Sequence, residues 1–145
     1  MKRIASILIL FLIFSCTGKS SRHYQNNSDG TVTEFLTEFE FNKEIHNFGT
    51  LIAGEKVLYN YTVKNTGGHD LVIYDVKSDC GCITINYSRD PVSPGEEAVI
   101  EIGFDSSGLF GRQYKTITVE TNTKEKINYL AVLAEVVNEQ IEFNY

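Results

Sequence analysis

From Glu38 onward apolar side chains recur at every second position, and this period of two governs what the chain can fold into. Val57, Tyr59, Tyr61 and Val63 alternate with Leu58, Asn60, Thr62 and Lys64. Ala98, Ile100, Ile102 and Phe104 alternate with Val99, Glu101 and Gly103, and Ile117, Val119 and Thr121 continue the rhythm. Successive side chains of a strand point to opposite faces, so each run describes a strand with one face on a core. No segment carries the 3.6-residue period of an amphipathic helix.

Turn chemistry separates the runs: Ala53-Gly54-Glu55, Asn65-Thr66-Gly67-Gly68, Pro94-Gly95 and Ser106-Ser107-Gly108. Pro94-Gly95 suits the central positions of a type II turn, where proline presets φ and glycine accepts a positive φ. The expected strands are 38–42, 45–51, 56–64, 70–79, 82–87, 97–104, 113–121 and 126–137. Seven to eight short strands predict an all-β, antiparallel immunoglobulin-like β-sandwich, with a barrel as the structural alternative. Nine Phe and eight Tyr without Trp suit pleated faces but omit the buried tryptophan of antibody domains.

The first 37 residues follow a different logic. Met1-Lys2-Arg3 is a basic n-region and Ile4 to Phe14 is almost wholly apolar. That run is too short for a bilayer span, which needs about 20 residues, and matches a signal-peptide core. Ile13-Phe14-Ser15-Cys16 resembles a bacterial lipobox, which implies cleavage after residue 15 and acylation of Cys16, palmitate-type chains included. More than one acyl chain makes stable anchoring, at roughly 0.8 kcal/mol per buried methylene. Residues 16–37 read as the lipidated cysteine and a polar, flexible linker, and 38–145 as the sandwich domain. The expected address is the cell envelope, lipid-anchored in the outer membrane and facing the periplasm.

Without the leader, 11 basic residues stand against 19 acidic ones. No basic stripe exists to neutralise phosphates, so nucleic acid is not an expected partner, and the membrane is expected to be met through the lipid alone.

Phe48-Gly49-Thr50, Gly54-Glu55-Lys56-Val57, Asn65-Thr66-Gly67, Leu71-Val72-Ile73, Cys80-Gly81-Cys82, Pro94-Gly95-Glu96 and Lys115-Thr116-Ile117-Thr118-Val119 follow one another in the order of a bacterial family. The chain resembles the domain of unknown function family 1573. Its members are secreted, often lipid-anchored, immunoglobulin-like domains related to the major-sperm-protein-like group. Threonine usually follows the second cysteine there, where this chain has Ile83 and then Thr84. The resemblance implies a fold and an address, and no activity.

Chemistry has one foothold, the thiol pair Cys80 and Cys82, read as a disulfide or a metal site. Two thiolates one residue apart suit Cu(I) or Zn(II), but a closed zinc site needs four ligands. A strand over 70–79 would be about 30 Å long and would leave His69 at the far end, with His46 also low. Asp79, Asp105 and Arg112 are the candidate loop neighbours. In an extended chain the two Cα atoms stand about 6.5–7 Å apart, at the limit for a bridge, and Gly81 can shorten that by turning. Arg112 or Lys115 would then lower a thiol pKa. The third reading is packing, with Gly81 marking a bulge. Ser106-Ser107 beside Asp105 has no histidine within reach, so a Ser-His-Asp set is not expected. Asn60-Tyr61-Thr62 and Asn86-Tyr87-Ser88 match a glycosylation pattern by chance in a bacterial chain. The expected function is therefore a non-catalytic module that binds another envelope protein and requires no cofactor. The alternative is a thiol-based metal or redox protein.

Overall fold

The computed structural model describes residues 35–138, so the expected leader, Cys16 and most of the linker lie outside the described residues. Eight strands follow in order: β1 (Phe39–Phe41), β2 (Ile45–Ile52), β3 (Lys56–Asn65), β4 (Ile73–Lys77), β5 (Ile83–Tyr87), β6 (Glu97–Asp105), β7 (Gly111–Thr121) and β8 (Ile127–Val137). They form two four-stranded sheets, β1-β3-β6-β5 and β2-β8-β7-β4. With β2 set aside, this is the strand grouping of a constant-type immunoglobulin domain. The described residues contain no helix.

The alternating positions read from the sequence form the core. Tyr61, Val63, Ile100, Ile102, Ile117, Val119, Leu130 and Val132 pack between the sheets with Leu71, Ile73, Val76 and Val92. Each such side chain contributes roughly 1.5–3 kcal/mol by leaving water. A second cluster, Leu51, Phe104, Ala134 and Val136, fills one end of the sandwich, called here the upper pole. The Pro94-Gly95 turn forms as expected: Glu96 N–H donates to Ser93 O at 3.0 Å, and Gly95 has φ +84°.

Two expectations are corrected. The sandwich is not wholly antiparallel, because β2 pairs with β8 in parallel. β1 and β2 both ascend, and the chain changes sheet between them. Asn42 still pairs with Thr62 of β3, whereas Glu44 O already accepts from Ala131 N–H of β8. A bulge between Asn47 and Thr50 then re-aims β2, and Gly49 N–H donates to Asn47 Oδ1 at 2.8 Å.

The strand expected over 70–79 is only Ile73–Lys77, about 17 Å at roughly 3.3 Å per residue. Asn122 takes over its beginning, accepting Val72 N–H at 2.8 Å and donating to Asp70 O at 2.9 Å. A side chain that satisfies main-chain groups removes the need for a ladder there.

Candidate functional site

The upper pole is where β4 leaves one sheet, β5 enters the other, and the β2–β3 and β6–β7 connections come together. Beyond Lys77 the chain turns sharply. Ile83 N–H donates to Cys80 O at 3.1 Å, closing a four-residue turn over Cys80-Gly81-Cys82-Ile83. Within it Cys80 and Cys82 form a disulfide with Cα atoms 5.1 Å apart, inside the ordinary range for a bridge. The contraction from an extended spacing comes from the turn. Gly81 is not among the glycines with positive φ, and a Cβ at Gly81 would meet no atom within 4 Å. Neither backbone conformation nor crowding inside the domain demands glycine at this place.

The two sulfurs have different surroundings. Cys82 packs beside the cluster of Leu51, Phe104, Ala134 and Val136, with Ile83 and Leu109 alongside. Its carbonyl accepts Asp105 N–H at 2.9 Å. Cys80 belongs to neither apolar cluster, and its Sγ receives Cys82 N–H at 3.2 Å. Ser78, just before the turn, ties it to β7 through Thr116 O at 2.8 Å.

The bridge closes a loop of only three residues. On the loop-closure relation it removes about 1.6 kcal/mol of unfolded-state entropy, against about 4.7 for a hundred-residue loop. The turn hydrogen bond already holds the same residues together. As a staple the bridge contributes little.

The expected loop neighbours separate. Asp105 reaches the turn through its main chain, while its carboxylate accepts Ser107 N–H at 2.9 Å and pairs with Lys56 Nζ at 2.9 Å. Ser107 and Lys56 together hold that carboxyl well below the usual carboxylate range. Arg112 lies on the outer face of the other sheet, where its Nε pairs with Glu135 at 3.5 Å. Asp79 is exposed. His46 stacks on Tyr59 at 3.6 Å, and His69 meets Phe35, so both rings are engaged away from the thiols. Among the described residues no three His, Cys, Asp or Glu side chains come together as a metal-ligand group.

Three buried polar residues organise the two poles; the sequence offered turn signals for Asn65 and Ser106 and none for Asn122. Ser106 Oγ lies 3.0 Å from Ile52 O and 2.9 Å from Glu55 O and accepts Gly54 N–H at 3.0 Å, binding the β6–β7 loop to the β2–β3 turn. At the lower pole Asn65 accepts from Thr37 Oγ1 and Gly67 N–H and donates to His69 O and Val92 O. Asn122 donates to Phe35 O at 3.1 Å, and Thr37 bridges to Thr123, so the described chain enters the domain here. Glu97 and Asp105 mark the two levels along β6, roughly 26 Å apart at about 3.3 Å per residue. The upper pole also carries the strongly exposed ring of Phe110.

Fold and site together define an immunoglobulin-like β-sandwich module whose crossover turn holds a short-range disulfide. The chain belongs to the family described as Protein of unknown function (DUF1573), whose model matches residues 39–136. It is similar to a solved protein of unknown function from Porphyromonas gingivalis W83, with TM-score 0.63 and 19% identity, covering 75% of this chain and 51% of that one. It thus spans about half the length of that protein. A PapD-like domain of human CEP192 is similar with TM-score 0.58 and 11% identity, covering 81% of this chain and 97% of that domain. The secreted serine protease VesC of Vibrio cholerae is similar with TM-score 0.53 and 13% identity, covering 70% of this chain and 23% of the protease. At these identities the likeness is one of fold. No curated protein matches the chain in sequence.

Proposed function

We propose that this protein is a lipid-anchored envelope module that binds another protein through its upper pole and performs no catalysis by itself. The observation that supports it is polarity: the chain enters at the lower pole through Phe35–Thr37, while the crossover turn and Phe110 occupy the opposite end. An acylated Cys16 followed by a linker of about twenty residues would attach to the lower pole and leave the upper one free to meet a partner. The proposed address is the outer membrane, facing the periplasm. The partner is a second envelope protein, the lipid is the sole membrane contact, and no cofactor is needed.

The test has two arms. Cys16→Ser should move the protein from the membrane fraction to the soluble fraction and abolish incorporation of a labelled fatty acid. A photo-crosslinking residue at Phe110 should give one recurrent protein adduct in cells at native expression, and the same residue at Glu125, on the lower pole, should not. Membrane retention of Cys16→Ser, or identical adducts from both positions, would sink the reading.

A second reading, a thiol redox protein, is favoured by the disulfide in the turn. Its metal-binding form would need both thiols reduced and further ligands brought from another molecule.

A further inference from the structure

We propose that Cys80 is the exchanging sulfur of a thiol–disulfide pair and Cys82 its resolving sulfur, acting on a cystine of another polypeptide. This rests on the redox reading of the same pair.

Four observations carry it. The bridge spans an exposed Gly81 between two half-buried cysteines, and a Cβ at residue 81 would meet no atom within 4 Å, so an incoming chain can approach the turn that carries the sulfurs. The bridge adds little to the fold, so it can open without unfolding the domain. The environments are unequal: Cys82 is backed by Leu51, Phe104, Ala134 and Val136, and apolar packing disfavours a thiolate. Cys80 Sγ instead receives the Cys82 main-chain N–H, and a donor aimed at a sulfur favours its anionic form.

The Cys82 N–H that donates to Cys80 Sγ is itself held by main-chain bonds that do not involve the sulfurs: Asp105 N–H fixes the Cys82 carbonyl, and Ile83 N–H fixes the Cys80 carbonyl.

With the pair reduced, the Cys80 thiolate attacks one sulfur of the partner's cystine. The Cys80–partner disulfide forms, the partner's S–S bond breaks, and its other sulfur leaves as a thiolate that takes up a proton. Cys82 then gives up its proton and attacks Cys80 Sγ. The domain disulfide closes, and the second partner sulfur leaves and is protonated. Two electrons have passed from the domain to the partner, two thiols have become one disulfide, and one partner disulfide has become two thiols. The reverse sequence oxidises a partner dithiol, again through Cys80. Separation by one residue keeps Cys82 beside the mixed disulfide, so resolution needs no large movement.

The experiment uses the full chain in a Cys16→Ser background, where the pair supplies the only thiols. Cys82→Ser leaves Cys80 free, and Cys80→Ser leaves Cys82 free. With the aromatic disulfide DTNB under native conditions, the Cys82→Ser chain should react at least tenfold faster, with its rate profile displaced to lower pH. Oxidised glutathione should leave a stable adduct on the Cys82→Ser chain, while the reduced unsubstituted pair should end as the internal disulfide with no lasting adduct. Acid quenching of the unsubstituted pair during the reaction, followed by peptide mapping, should place glutathione on Cys80. That measurement stands even where a serine variant fails to fold. Equal rates, or glutathione on Cys82, would overturn the assignment while leaving exchange intact. A native bridge inert to excess dithiothreitol would overturn the redox reading itself, and the assignment with it.

Discussion

The hydroxyl of Tyr61 donates to the main-chain carbonyl of Ala131 at 2.6 Å, joining the two sheets through the middle of the core. Tyr61 is fully buried, so the bond forms where neither partner can turn to water. Tyr61→Phe keeps the ring and leaves the carbonyl without this donor. The expected loss is about 1–3 kcal/mol, read as a lower urea midpoint with an unchanged slope.

The same hydroxyl sets an alkaline limit. Burial pushes Tyr61 up to about 12 from the ordinary 10.0. Between those values the unfolded chain releases a proton that the folded chain retains. Stability is therefore complete below pH 10 and declines as pH rises toward 12, by about 2 kcal/mol from this group. Comparing urea midpoints at pH 9 and pH 11.5 in parent and Tyr61→Phe chains isolates it. The variant should lose less on going alkaline.

Asn65 is the most consequential polar residue at the lower pole. Its side chain makes four hydrogen bonds, two accepted and two donated, with no exposure to solvent. Asn65→Leu is close in volume, so a cavity is not the issue. It strips a partner from the Thr37 hydroxyl, the Gly67 N–H and two carbonyls, although Gly67 N–H still donates to Glu38 O and Val92 O still accepts from Leu71 N–H. A loss of at least about 2 kcal/mol is expected, large enough to show as a lowered Tm. A loss under 1 kcal/mol would mean that water reaches those groups.

Much of this fold is legible in the chain because period two reports directly on which face a side chain occupies. Tyr61, Val63, Ile100, Ile102, Ile117 and Val119 all lie where the alternation places them. Period cannot say which sheet a strand joins, and so the change of sheet between Asn42 and Glu44 and the parallel pairing of β2 escaped it. Nor does it identify Asn65, Asn122 and Ser106 as buried, since these residue types in a polar stretch read as solvated turn. The site is partly legible. Spacing left a bridge open beside a metal site and plain packing, without deciding among them, and the inequality of the two sulfurs depends on Leu51, Ala134 and Val136, which come from β2 and β8 and are remote in sequence.

Asp105 sets an acid limit at the upper pole. Ser107 and Lys56 hold its carboxyl well below the usual carboxylate range. The unfolded chain takes up a proton near pH ~4 while the folded chain resists it. The contribution is therefore present above pH ~4 and is lost progressively as pH falls further. Asp105→Asn removes the ion pair, so the variant should have the lower Tm at pH 7. The gap between parent and variant should narrow at pH 2.5, and a constant gap would contradict the assignment.

His46 works in the same direction nearer to neutrality, for a different physical reason. Its ring lies flat on Tyr59 and edge-on to Phe48, and its Nδ1 is buried without a hydrogen-bond partner. Burial first, and then the positive charge of Lys43, lowers its pKa from 6.5. A lowered histidine is neutral in the folded state at pH values where the unfolded chain is already protonated. Stability is thus complete above pH ~6.5 and falls as acid puts a charge on a partly buried ring whose Nδ1 has no partner. His46→Phe retains an aromatic ring for the stack, removes the unpaired nitrogen and carries no proton to gain. The variant should match or exceed the parent at pH 8, and the parent should lose more stability between pH 8 and pH 5. The two chains differ only at residue 46, so the difference in urea midpoints belongs to His46, and parallel losses would show that its ring accepts the proton without cost.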